Sequence, residues 1–238
     1  MNKKTLLGMG ATALIAVSLT ACGGSAESSN SSSPSASETA ASASTSSSAS
    51  ASSSSSEATT PGAYKVASWA LPVTNTGDKL GSFKGDSFSV DIYQTATDVA
   101  SKDGMFVDPD TKENLLKKGA PIVYLNYVVT NTSSADIPLS HSLITPSAKY
   151  TDWKCMGGMP SDSSSDGFEK HGLTSSGIKL KEKDPFVLKP GESFNVAENF
   201  AYAAGKEAKI EATMNPQGAD GKLDHAKKET AETTVTVK

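Results

Sequence analysis

Between positions 141 and 171 lie His141, Cys155, Met156, Met159 and His171. Thiolate and thioether sulfur combined with imidazole nitrogen suits Cu(I). If these side chains converge, they make an extracytoplasmic copper-binding carrier. A second group is carboxylic: Asp98, Asp103, Asp108 and Asp110. A calcium loop begun at Asp108 needs an oxygen ligand at its fifth place and Gly at its sixth, and Lys112 and Glu113 stand there instead. The acids are better explained as helix-capping residues. A third group is hydroxylic. Ser176 and Lys179 have the Ser-x-x-Lys spacing, and Ser163 and Asp166 can be written into a triad with His171. No Gly-x-Ser-x-Gly elbow accompanies them, and closeness along a loop is not catalytic geometry. A Ser hydrolase is therefore the weakest alternative. The chain is read as non-catalytic, without metal or cofactor.

The residue with the firmest assignment is Cys22. It ends the segment Leu19-Thr20-Ala21-Cys22, after an apolar run fronted by Lys3 and Lys4. A basic start, an apolar stretch and small residues before a processing point make a secretory signal. The run is roughly 15 residues, short of the ~20 that cross a bilayer as a helix. Residues 19–22 resemble the lipobox of bacterial lipoproteins, in which the Cys is acylated and becomes the mature N-terminus. That resemblance implies palmitate-type acyl chains on Cys22, membrane lipid as a partner, and a place on the cell membrane facing outward. With Cys22 committed to lipid, Cys155 has no partner for an intramolecular disulfide.

Composition narrows the rest. The 238 residues carry a net charge of -4, and all 22 basic residues are lysine. Without the planar bidentate donor of arginine, nucleic acid is excluded as a main partner. Residues 23–60 are mostly Ser, Ala and Thr, with scattered Glu and a lone Pro34, and have no aromatic and no large aliphatic side chain. Such a stretch has nothing to bury and is expected to be disordered. Its roughly 38 residues give a span near ~35 Å as a random coil and about 130 Å when fully extended. The organisation follows: a signal peptide at 1–21, the acylated cysteine and linker at 22–61, and one domain at 62–238.

Within that domain the period is two. Phe88, Val90 and Ile92 alternate with serines and Asp91, and Ala208, Ile210, Ala212 and Met214 alternate with charged residues and Thr213. Residues 122–129 are apolar on both faces except at Asn126, which predicts a central strand. Further strands are expected at 64–71, within 139–150, along Phe194, Val196, Phe200 and Tyr202, and at 233–237. Glu198 falls on the apolar face of the third of these, so either the strand bulges there or an acid is half-buried, and the bulge is favoured. The one short helix expected is at 109–118, with Asp110 and Glu113 at capping-box spacing and Gly119 closing it.

The sequence Val-Tyr-Leu-Asn-Tyr-Val-Val-Thr-Asn-Thr-Ser-Ser-Ala-Asp-Ile-Pro-Leu at 123–139, with Leu-Lys-Pro-Gly-Glu at 188–192, is similar to immunoglobulin-like domains of Gram-positive surface lipoproteins. Those families are mostly of unknown function and are similar in fold to the immunoprotective secreted antigen of mycobacteria. The likeness covers about residues 83–214. It implies an all-β, antiparallel immunoglobulin-like sandwich with at most one or two short helices, and no specific chemistry. The immunoglobulin Cys–Cys bridge is absent, and residues 153–184 form a longer Gly/Ser-rich connection than the pattern contains. That connection, with Met156, Met159 and Phe168 expected to be exposed, is where a ligand would be met. The expected partner is an envelope protein or a glycan. The spacing of His141, Met156, Met159 and His171 differs from the His-Met and His-x-Met pairs of extracytoplasmic copper chaperones.

Overall fold

Period-2 alternation in the sequence becomes strand faces in the computed structural model, which describes residues 64–74, 76–154 and 158–238. Cys22, the signal segment and the Ser-rich linker lie outside the described residues, as do Cys155 and Met156. The described residues hold ten strands: β1 (Lys65–Val66), β2 (Asp78–Lys84), β3 (Phe88–Val99), β4 (Pro121–Asn131), β5 (Ile137–Leu139), β6 (Thr145–Tyr150), β7 (Phe186–Leu188), β8 (Glu192–Ala201), β9 (Glu207–Met214) and β10 (Glu229–Thr236). They form a five-stranded sheet in the order β1-β8-β4-β3-β2, a three-stranded sheet β10-β9-β6 and a two-stranded sheet β5-β7. Pairing is antiparallel except for β1, which runs parallel to β8.

The two larger sheets share one core. Val90, Ile92, Leu125 and Tyr127 of the first face Ala208, Ile210, Ala212 and Val235 of the second, all buried. The domain is an all-β sandwich. β4 is central, as its doubly apolar sequence requires, lying between β8 and β3. Its outer-face residues Ile122 and Tyr124 are covered by Leu116, Leu173 and Phe168 from the long connections, which form a second apolar cluster. At Leu188-Lys189-Pro190-Gly191-Glu192 the chain makes the expected turn. The Glu192 N–H donates to the Lys189 carbonyl at 2.9 Å, and Gly191 takes φ 74°, the left-handed value that glycine adopts without strain.

Three expectations are corrected. The segment 109–118 is not a helix. The Asp108 carboxylate accepts the N–H groups of Asp110 and Thr111, both at 2.8 Å. The chain then folds back, with Leu115 N–H on the Phe106 carbonyl at 2.9 Å and Asp108 N–H on the Glu113 carbonyl at 2.8 Å. Capping two residues earlier, at Asp108, made a turn instead of a helix start at Asp110. The α-helix is α1 (Ser165–Lys170), with Asp166 in its first turn and Lys170 in its last; a 3-10 turn follows at His225–Lys227. Finally, β8 does not bulge at Glu198, because its register with β4 runs unbroken through the pair Leu125 and Glu198. The acid is instead half-buried and hydrogen-bonded.

Candidate functional site

A three-stranded sheet facing a five-stranded one leaves a side where strand edges meet. β6 ends the smaller sheet. β8 is paired by β1 only at Glu192 and Ser193, so its second half is also an edge. Between these edges opens a cleft of about 530 Å³. Residues Ser147 to Lys149 of β6 border it on one side and Ala197 to Asn199 of β8 on the other. Met159, Asp162, Ser163, Phe168 and Ser175 of the long connection close it.

Glu198 follows Phe194 and Val196 on the inward face of β8 and so points between the sheets. Its Oε1 accepts the Tyr127 hydroxyl and the Ala148 N–H, the latter at 2.6 Å. Burial raises the carboxyl from 4.5 to about 7, outweighing the lowering by the Tyr127 hydroxyl and the Ala148 N–H. The same burial, with the Glu198 charge beside it, pushes the Tyr127 hydroxyl well above 10. Ala148 belongs to an edge strand, and its N–H would otherwise be open to pairing with another chain. An inward-facing acid is a known way to close such an edge.

Along β8, Asn199 and Asp162 bond reciprocally. The Asp162 N–H donates to Asn199 Oδ1 at 2.8 Å, and Asn199 Nδ2 donates to the Asp162 carbonyl at 2.9 Å. The Asp162 carboxylate accepts the N–H of Ser101 at 2.6 Å and of Ser164 at 2.9 Å. Burial pushes this carboxyl up, but those N–H groups, helped by the Lys102 charge, hold it below its usual range. The connection is pinned on its outer side as well. Lys170 Nζ lies 2.6 Å and His171 Nε2 3.2 Å from Asp98 Oδ2. Lys170 first, then the Val99 N–H, lowers the Asp98 carboxyl to about 2. Phe168 meets the Tyr124 ring edge-on, with centroids 5.3 Å apart.

The residue groups singled out in the sequence are mostly kept apart. His171 packs on Tyr124 with centroids 4.9 Å apart, whereas His141 packs on Phe186 at 4.9 Å. Met159 is buried in the main core, and Phe168 is half-buried against the second cluster. Neither is exposed as the sequence suggested. Lys179 Nζ donates to the Ser68 carbonyl at 2.5 Å, and Ser176 lies beside Thr174, so Ser176 and Lys179 are engaged elsewhere than with each other or with a His. His171 is held by Asp98, not by Ser163 or Asp166. Of the four acids, Asp98, near the end of β3, holds Lys170 and His171, Asp103 accepts the Lys118 N–H at 2.7 Å, Asp108 closes its own turn and Asp110 donates its N–H to it. Among the described residues, no group of three or more His, Cys, Asp or Glu is placed to hold a metal ion.

No protein-family profile and no curated protein matches this chain. Among solved structures, a functionally unknown protein from Listeria monocytogenes EGD-e is similar at 12% identity. The match spans 67% of this chain and 83% of that one, with a TM-score of 0.32. A likeness that distant carries no argument about function.

Glu198 is the cleft residue whose setting the sequence leaves open between a bulge and a half-buried acid. Its signal was present, an acid in phase with Phe194, Val196 and Phe200. The reading favoured a bulge because the partners that satisfy the carboxyl, Tyr127 and Ala148, come from strands far away in sequence.

Proposed function

We propose that this chain is a lipid-anchored cell-surface lipoprotein whose sandwich is a non-catalytic, immunoglobulin-like binding domain. The signal at 1–21 is removed, Cys22 carries the acyl chains, and residues 22–61 tether the domain on the outer side of the cytoplasmic membrane. Two or more acyl chains exceed the marginal hold of one, so the anchor is stable. The observation that supports binding is the cleft between the β6 and β8 edges, which is concave, mixed in polarity and fixed by hydrogen bonds on both sides. Its partner is an envelope component within the reach of the tether.

A photo-crosslinking side chain placed at Ser163 or Ser175, both exposed at the cleft, is expected to trap envelope material in intact cells. The same group at Asp220, on an exposed turn outside the cleft, is expected to trap none of it. Equal labelling from all three positions would contradict a binding role for the cleft.

A further inference from the structure

The chemistry around the cleft selects among envelope components. We infer that the cleft is a subsite for a neutral oligosaccharide, recognised by side-chain hydroxyls and the Glu198 carboxyl rather than by backbone pairing. The inference rests on reading the chain as a binding module and specifies its ligand.

The backbone edges are already occupied. The Ala197 N–H donates to the Thr174 carbonyl at 2.8 Å and the Ala201 N–H to the Pro160 carbonyl at 2.9 Å. Asn199 is bonded through its side chain to Asp162, and the Ala148 N–H is taken by Glu198. A peptide joining as an extra strand needs such groups open, so strand addition is blocked here. The side chains, by contrast, are available. Ser147, Ser161, Ser163 and Ser175 line the cleft, and among the described residues no hydrogen bond from the protein reaches their hydroxyls. Each hydroxyl both donates and accepts, which matches the hydroxyl groups of a sugar. Both hydrogen bonds to the Glu198 carboxyl fall on Oε1, which leaves Oε2 to the ligand.

Charge narrows the class further. Among the described residues that line the cleft, Lys149 is the only cation, set against Asp162 and Glu198, so an anionic ligand finds no complementary field. A cation finds little better, since both Asp162 oxygens are held by backbone N–H groups. Met159, Phe168, Ala148 and Ala197 supply an apolar lining, suited to the C–H face of a sugar ring. A neutral, polyhydroxylated ligand satisfies all of these conditions together.

The full-length chain, purified in detergent, can be titrated by calorimetry with chitotetraose, maltotetraose and mannotetraose, and with a free peptidoglycan stem peptide. Binding of at least one tetrasaccharide is expected. Replacing Ser163→Ala and Ser175→Ala together should weaken it about tenfold, the combined worth of two modest hydrogen bonds. Both residues are partly or fully exposed at the cleft, so the melting temperature should stay unchanged. Glu198→Gln, which keeps the Oε1 acceptor, should weaken binding without unfolding the sandwich. No binding of any of the three sugars, binding unaffected by the serine changes, or binding of the stem peptide alone would overturn the oligosaccharide assignment. Should crosslinking from Ser163 and Ser175 trap an envelope protein while the sugars fail, the binding-module reading survives and only its ligand class falls. Should both fail, the module reading falls with it.

Discussion

Replacing Glu198 with Gln is expected to remove a loss of stability that burial of its carboxyl imposes on the wild-type sandwich as pH rises from about 4.5 to about 7. The sign follows from the raised carboxyl. An unfolded glutamate ionises at its ordinary value, whereas the folded one resists ionisation until about pH 7. The folded state therefore binds the extra proton through that window. Stability from this group is complete below the unfolded value and is lost as pH rises through the folded one. The full loss is about 3 kcal/mol, set by the gap between the two values. The carboxyls of Asp98 and Asp162 are shifted downward, so their contributions are lost only in more acid solution. Lys149 and Asp162 are the other charged side chains on the cleft, and Tyr127 and Ala148 are the groups bonded to the carboxyl itself. A glutamine amide oxygen accepts both of those bonds without a charge to desolvate. Urea unfolding at pH 5 and pH 8 should differ by about 2–3 kcal/mol in the wild type and by less than about 0.5 kcal/mol in the variant. Equal pH slopes in the two proteins would show that Glu198 is not the buried acid described.

Met159→Ala is expected to cost about 2–4 kcal/mol, although the residue sits in a Gly/Ser-rich connection. Met159 is 7% exposed and belongs to the core shared by the two sheets. Leu173, also 7% exposed, belongs to the cluster on the outer side of β4. The connection thus inserts apolar side chains on both sides of the five-stranded sheet while its backbone closes the β8 edge. Truncating Met159 leaves a cavity that rigid strands cannot fill. Ser163→Ala, a few residues on and exposed, should change stability by no more than about 0.5 kcal/mol. Urea unfolding of the two variants makes the comparison. A cost below about 0.5 kcal/mol for Met159→Ala would mean that the connection is an appended loop.

Strand periodicity was legible where one face was simple. Phe88, Val90 and Ile92, and Ala208, Ile210 and Ala212, declare their inward face by alternation alone. The doubly apolar run in β4 declared a buried strand, but not the connections that bury its second face. The site was less legible because its parts are distant in sequence. Ser147, Ser163, Ser175 and Glu198 meet only through pairing of β8 with β4 and packing of β6 across the sandwich. The helix at 109–118 failed for a local reason. Asp108, Asp110 and Glu113 offer competing caps, and Asp108 takes the Asp110 N–H that the Glu113 arm of a capping box would have used, while its carbonyl takes the Lys112 N–H. Sequence reading singled out the connection at 153–184, and part of that connection borders the cleft. It misjudged Met159 and Phe168 because glycines and serines around an apolar residue hide whether it points in or out.

The central claim is that a binding sandwich is held to the membrane through Cys22, and the mass of the mature N-terminal peptide tests it most directly. Protein isolated from the membrane fraction should begin at Cys22 and carry a thioether-linked diacylglycerol. Cys22→Ala should lose that lipid and leave the membrane fraction. A mature chain that begins at another residue, or an unmodified Cys22 on membrane-associated protein, would contradict the account.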